Sequence, residues 1–305
     1  LKIGETGGIW VNEYLQTSHP DIYAVGDAID FPHPVSGRPS LSFLAGPANK
    51  QGRICAENIV DGNIRPYKGA IGTAIAKVFD LTVAATGMNE ALLNRQSVAF
   101  KTSTTHSGSN AGYYPGAMPM TIKINFAPES GQILGAQIVG YSDVDKRIDQ
   151  IALLMKHGKT IYDLIRIEHA YAPPFASAKD PIAIAGYVAQ NILTNKMPVV
   201  YWEDVLNVDA EKEILLDVRT EDEFGLGSIP GAINIPLDDL RDRLNELPVD
   251  KQIIVFCAIG LRGYLALNIL LQRGFDKAVN LSGGLKTFEA ATYKIENKIG
   301  LATQE

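Results

Sequence analysis

The chain has 305 residues, 46% of them hydrophobic, and 28 Lys and Arg against 34 Asp and Glu give a formal charge of -6. At about 100 to 200 residues per domain, this length holds two or three domains with real cores. The acidic balance argues against a broad nucleic-acid surface, which needs clustered cations to neutralise phosphates, and no run reaches the roughly 18 apolar residues that span a bilayer.

No charged-then-apolar leader opens the chain, so a cytosolic location without membrane or nucleic-acid partners is expected. Its first residue is Leu1 and its opening phrase, GGIWVNEYLQTSHPDIYAVGDA, is abruptly strand-like, which points to a fragment of a longer protein. The two cysteines, Cys55 and Cys257, lie far apart in unlike contexts, which argues against a disulfide framework or a metal cluster and leaves them as free thiols.

In chain order, Ile22 to Val25 reads as a buried strand ending in Gly26-Asp27. A helix across Ala48 to Val60 follows, with Ile54, Cys55 and Ile59 on one face and Gly62 as its stop. Short β-type runs come next at Ala74 to Val78, Thr82 to Thr86, Ser97 to Thr102, Met120 to Phe126 and Ile133 to Val139. The turn signal Pro128-Glu129-Ser130-Gly131 makes the last two a hairpin. Helices are expected at Asp145 to His157, Ile161 to Ile165 and Pro181 to Leu193, and then a linker at Asn195 to Pro198.

After the linker, strands at Glu213 to Asp217, Ile253 to Phe256 and Ala278 to Leu281 alternate with helices at Leu237 to Glu246 and Gly263 to Arg273. That alternation implies a parallel sheet with helices on both faces. The expected fold class is therefore mixed, α+β and then α/β, with domains at 1–65, 66–195 and 196–305.

Cys257 leaves a buried strand in the loop CAIGLR, which enters a helix beginning near Arg262. Unpaired amides at a helix N-terminus favour negative charge, and Arg262 adds a full cation, so the setting suits a thiolate or a persulfide anion. A buried cysteine at a strand end is more often a small hydrophobe, but the strand, the glycine and the arginine together favour the reactive reading.

LLDVRTEDEF (215–224), GSIPGAINIPL (227–237), CAIGLR (257–262) and VNLSGG (279–284) resemble, in order and spacing, the signature segments of rhodanese-like sulfurtransferases. The resemblance implies a five-stranded parallel sheet with helices on both sides. It also implies that Cys257 accepts a sulfane sulfur, held by Arg262 and the amides of Ala258, Ile259, Gly260 and Leu261. Asp217 and Arg219 are then a structural salt bridge between segments, and Ser228 stands where the family usually has His.

A Gly-Asp after a strand is, alone, most simply a turn. Within TSHPDIYAVGDAID, and with LAGPANKQGRICAENI (44–59), it resembles the second flavin-contacting segment of FAD-dependent pyridine nucleotide-disulfide oxidoreductases. That resemblance gives Gly26, Asp27 and Ala48 to FAD, with Asp27 on the ribityl chain and the helix N-terminus near Ala48 aimed at the flavin ring. Neither GxGxxG nor a redox cysteine accompanies it, so the nucleotide sites and the reductase cysteine are expected upstream, and Cys55 is read as core.

HSGSNAGYYPGAMPM (106–120) and HAYAPPFASAKDP (169–181) resemble the dimerisation domain of coenzyme A disulfide reductases, particularly those fused to a rhodanese. By that resemblance Tyr113 and Tyr171 reach into the partner's active site of a homodimer, with Tyr171 also near FAD and Tyr114 an alternative to Tyr113. Asn49 and Lys179 fall where relatives contact coenzyme A, while His106 and His169 remain ordinary polar residues. The implied activity is an FAD- and NAD(P)H-dependent reduction of persulfide, polysulfide or coenzyme A disulfide, with Cys257 carrying sulfane sulfur. The alternative is a dimerisation and carrier module whose rhodanese accepts or senses sulfur without turnover.

Overall fold

The computed structural model describes residues 1–293. They divide into two compact units: Leu1–Thr102 with Ser107–Leu193, and Ser103–His106 with the residues from Thr194 onward.

The first unit opens with a small sheet in which β1 (Ile9–Trp10) pairs parallel with β2 (Ile29–Pro32) and β2 antiparallel with β3 (Pro39–Ser40). Ile29 and Phe31 of β2 join Val11 and Leu15 in a buried cluster. The strand expected at Ile22 to Val25 does not form. Only Tyr23 makes a bridge, to Gln16, and Ile22 and Val25 are exposed. The apolar pair that is actually buried comes beyond the 3-10 turn Gly26–Ala28, where the backbone of Gly26 takes φ 78°. Helix α1 (Ala45–Asp61) ends on Gly62 at φ 86°, a left-handed stop that glycine adopts without steric cost. Cys55 and Ile54 pack half-buried on the cluster, but Ile59 is 59% exposed and lies off that face.

An antiparallel sheet follows, with β4 (Ala74–Val78), β5 (Leu81–Gly87), β6 (Lys101–Gly108), β7 (Pro119–Phe126) and β8 (Ile133–Gly140) in the order β4-β5-β8-β7-β6. The hairpin of β7 and β8 turns where Pro128–Gly131 signalled it. The strand expected at Ser97 to Thr102 begins later, at Lys101, because a short helix precedes it. That helix is α2 (Glu90–Arg95), capped by the Asn89 side chain accepting the Leu92 amide at 2.9 Å, and Ser97 beyond it takes φ 54°. One face of the sheet, with Ile122, Ile124, Ala136 and Ile138, is buried, and α3 (Val144–Lys156) packs against β5 and β8. Helix α4 (Ile161–Ile165) pairs with α5 (Pro181–Leu193), which in turn packs on β7.

In the second unit all five strands are parallel: β9 (Val199–Val200), β10 (Glu213–Asp217), β11 (Ile233–Asn234), β12 (Gln252–Phe256) and β13 (Ala278–Leu281), in the order β11-β10-β12-β13-β9. The run Ile253-Ile254-Val255-Phe256 is apolar throughout because central β12 is buried on both faces. Leu215, Ile254, Phe256, Leu281 and Leu285 share one cluster, while α7 (Leu261–Gln272) covers β12 and β13 with Ala266, Leu267 and Leu270. Burying each such side chain contributes on the order of 1.5–3 kcal/mol. The short α6 (Glu221–Gly225) and α8 (Gly284–Thr292) are the other α-helices among the described residues of the unit.

The helix expected at Leu237 to Glu246 is a series of turns closed by a 3-10 segment, Leu244–Glu246. Leu240 and Leu247 are buried while Asp238, Asp239, Arg241 and Asp242 are exposed, so a strip of i to i+3 turns satisfies the leucines where a longer α-helix has no second apolar row.

Candidate functional site

Cys257 follows β12 directly and is 1% exposed. The Gly260 amide donates to its Sγ at 3.2 Å. That amide is aimed inward because Gly260, the N-cap of α7, takes φ 102°, a backbone state that strains any side-chain-bearing residue. The Leu285 and Lys286 amides at the head of α8 donate to the Cys257 and Ala258 carbonyls at 2.9 and 3.0 Å. A Cβ on Gly284 would stand 2.4 Å from the Cys257 carbonyl oxygen, so the GG of VNLSGG permits this approach. The loop is thus fixed from both ends, with Ile259 and Leu261 exposed at its rim.

Arg262, in the first turn of α7, lies close enough to Cys257 for the two groups to interact electrostatically. Its main partner was not anticipated. Glu223 of α6 takes Nη1 and Nη2 on its two carboxylate oxygens, each at 2.6 Å. This pairing raises the arginine's pKa further, with Cys257 acting the same way, and the guanidinium holds the Glu223 carboxyl down at about 2. Thr220 and Glu223 also form a capping box, a signature legible as T-x-x-E in TEDE.

Asp217 and Arg219 form the salt bridge expected of them. Arg219 Nη2 reaches Asp217 Oδ2 at 2.7 Å and the Gly227 carbonyl at 2.6 Å, and Ser228 Oγ donates to the same Oδ2 at 2.7 Å. Asn234 closes the knot by donating to the Asp217 and Arg219 carbonyls, both at 2.9 Å. The network joins the first two signature segments without touching Cys257.

In the other unit, Tyr113 and Tyr171 come from loops 58 positions apart in sequence, yet their phenols lie near enough to influence one another. The nearby Tyr113 phenol raises the pKa of Tyr171, while 79% of Tyr113 and 49% of Tyr171 face solvent. Buried Arg147 of α3 sets this meeting. It donates to both oxygens of Asp180, just before α5, and to the Ser109 carbonyl at 2.8 Å. Asn110 Nδ2 then donates to the Pro173 carbonyl at 3.1 Å, and the Ala111 amide to that of Ala176 at 3.1 Å. Arg147 carried no sequence signal beyond a charge in an amphipathic helix. Tyr114 is exposed and Lys179 presents an exposed ammonium.

Gly26, Asp27 and Ala48 are brought together. The Gly26 amide donates to Gln51 Oε1 of α1 at 2.6 Å, and a Cβ on Gly26 would touch that of Ala48 at 3.9 Å. Helix α1 starts three residues earlier than expected, so the Ala48 amide is spent on the Leu44 carbonyl and the unpaired amides are those of the first turn. Flavin fits this end: Asp27 and Asn49 are exposed, Gly46 has open space where a side chain would project, and Ser42 Oγ is buried without a partner. A neighbouring cleft of about 700 Å³ is lined by Trp10, Asp30, His33 and Tyr67 instead. Among the described residues no group of three or more His, Cys, Asp or Glu could hold a metal ion, and no helix is long and apolar enough to cross a membrane.

Sheet order, cysteine loop and antiparallel dimer-type sheet define the class: residues 203–291 match the rhodanese-like domain, and residues 73–181 the pyridine nucleotide-disulphide oxidoreductase dimerisation domain. The chain is a homologue of the coenzyme A disulfide and persulfide reductases. It is 35% identical to the NAD(P)H coenzyme A polysulfide/persulfide reductase of Pyrococcus horikoshii and, again at 35%, to the coenzyme A disulfide reductase of Staphylococcus epidermidis. Each match takes in 62% of this chain and 42% of the relative. The structure of reduced Bacillus anthracis CoADR-RHD superimposes with a TM-score of 0.91 at 46% identity, over 94% of this chain and 52% of that one. An NAD-dependent persulfide reductase from A. fulgidus follows at 0.83 and 39%, over 93% and 51%. The chain spans about half the length of these relatives.

Proposed function

We propose that this chain supplies the sulfur-carrying and dimerisation parts of an FAD- and NAD(P)H-dependent cytoplasmic reductase of persulfide, polysulfide or coenzyme A disulfide substrates. In this reading residues 1–65 close a flavin domain, 66–195 mediate a homodimer and 196–305 carry sulfur. The observation that supports it is the Cys257 sulfur at the head of α7, receiving the Gly260 amide at 3.2 Å beside Arg262.

The thiolate of Cys257 attacks the outer sulfur of a persulfide R–S–SH. A new sulfur–sulfur bond forms, the old one breaks, and R–S⁻ leaves with the electron pair, so that Cys257–S–SH holds the sulfur. Ala258, Ile259, Gly260 and Leu261 present their backbone to that passenger, and Arg262 offsets its charge. Asp27 would accept hydroxyl donors of a flavin's ribityl chain, and Gly26 and Ala48 would leave room for it. When bound, the flavin supplies electrons from NAD(P)H for reducing a sulfur–sulfur bond. Tyr113 and Tyr171 donate protons to a departing thiolate of the partner subunit's reaction, and Asn49 with Lys179 holds coenzyme A, whose phosphates suit a cation. Joining both functions in one chain keeps a reactive sulfur at high effective concentration.

Labelled sulfane sulfur offered as an alkyl persulfide tests the reading: the chain is expected to take up label that Cys257→Ser does not. Equal labelling of the two proteins, or none of either, sinks it.

A further inference from the structure

The bidentate pair of Arg262 and Glu223 uses both terminal nitrogens of the guanidinium, the edge an arginine otherwise offers to a second oxyanion. Glu223 is itself tied down: its Oε2 also accepts the Thr220 amide and hydroxyl, each at 3.1 Å. The terminal nitrogens of the cation beside Cys257 are therefore already engaged and its charge is partly offset, so that a second oxyanion finds chiefly the Gly260 amide and the partial charge of the α7 N-terminus as donors.

We infer that Glu223 is a specificity-determining residue: by occupying the donor edge of Arg262 it fits the Cys257 loop to donors whose sulfur departs from a thiol, and turns away dianionic donors such as thiosulfate. The inference rests on the sulfurtransferase reading and deepens it.

Both donors share one step at Cys257. With R–S–SH the leaving group is R–S⁻, as above. With thiosulfate the thiolate attacks the outer sulfur, the sulfur–sulfur bond breaks, and sulfite departs as a dianion, leaving Cys257–S–S⁻. Sulfonate oxygens need two or more donors close to the attacked sulfur. Here they would meet a guanidinium edge already filled and a carboxylate behind it, and like charges in such proximity are repelled. A persulfide places no such group there.

The experiment follows thiocyanate formed when cyanide removes the sulfur from Cys257, with thiosulfate or a small alkyl persulfide as donor. Wild type is compared with Glu223→Gln and Glu223→Ala. Glutamine still completes the capping box, so the first variant removes the charge and keeps the start of α6; circular dichroism checks that the second is folded. The ratio of kcat/KM for thiosulfate to that for the persulfide is expected to rise on the order of tenfold or more in both variants, mainly through a lower KM for thiosulfate. An unchanged ratio in Glu223→Gln, or a wild-type chain that already prefers thiosulfate, overturns the inference while leaving the sulfurtransferase reading intact. A wild-type chain that yields no thiocyanate from either donor overturns both.

Discussion

Arg147 holds both carboxylate oxygens of Asp180 inside the protein, Nε on Oδ1 at 3.1 Å and Nη2 on Oδ2 at 2.9 Å, with both side chains at most 1% exposed. The same guanidinium reaches the Ser109 and Asp143 carbonyls, and Asp180 Oδ1 accepts the Ile182 amide at the head of α5. Arg147 thus links α3 to the two loops that carry Tyr113 and Tyr171. Arg147→Met leaves a buried carboxylate without its partner, and such a loss costs about 3–5 kcal/mol. Urea unfolding is expected to show it, with Arg147→Met/Asp180→Leu less damaged than Arg147→Met alone. A double variant as unstable as the sum of the singles would show that the pair's mutual attraction is not what matters.

Glu223 gives the second ion pair a pH signature. Its carboxyl, ordinarily near 4.5, is held at about 2 chiefly by Arg262. A depressed folded pKa contributes stability that is complete above the unfolded value and is lost as pH falls through the folded one. The difference in urea midpoint between wild type and Glu223→Gln is therefore expected to stay constant from neutrality down to about pH 5 and to shrink below that. It will be small, because the pair faces solvent. A difference that changes near neutrality would contradict the assignment.

Much of this was legible in the sequence, and the parts that were not have physical reasons. The continuous apolar run of β12, the αL stop at Gly62 and the six-residue CAIGLR loop speak for themselves because each is a local pattern with one good structural solution. Ile22 to Val25 misled because an apolar run says nothing about whether a neighbouring strand exists to pair with it, and here only Tyr23 finds one. The leucines of 237–247 have a spacing that turns can satisfy as well as a helix. Arg147, Asp180 and Glu223 were invisible as a group because their partners lie 33 or 39 positions away, and charge pairing at that distance leaves no periodic trace.

The phenols of Tyr113 and Tyr171 provide a direct spectroscopic check. The nearby Tyr113 phenol raises the pKa of Tyr171 above its ordinary 10. Removing the Tyr113 hydroxyl in Tyr113→Phe is expected to move the tyrosinate absorbance of Tyr171 to lower pH, with Tyr171→Phe identifying which step of the titration belongs to it. An unmoved or upward step in Tyr113→Phe would separate the two rings. Their contact, and the paired proton-donor role argued from it, would then be lost together.

The knot of Asp217, Arg219 and Ser228 separates support from chemistry. Asp217 is fully buried and its Oδ2 receives both Arg219 Nη2 and Ser228 Oγ at 2.7 Å. Ser228→Ala removes one hydrogen bond to a charged acceptor, worth about 1.5–3 kcal/mol, and leaves Arg219 in place. Arg219→Ala strips the charge partner from a buried carboxylate and is expected to cost more, about 3–5 kcal/mol. Because none of the three touches Cys257, Ser228→Ala at temperatures where it remains folded should take up labelled sulfane sulfur as wild type does. Urea denaturation ranks the two variants and the uptake assay follows Cys257. If Ser228→Ala stayed folded but lost uptake, the network would have to be part of the sulfur site and not only the brace between its flanking segments.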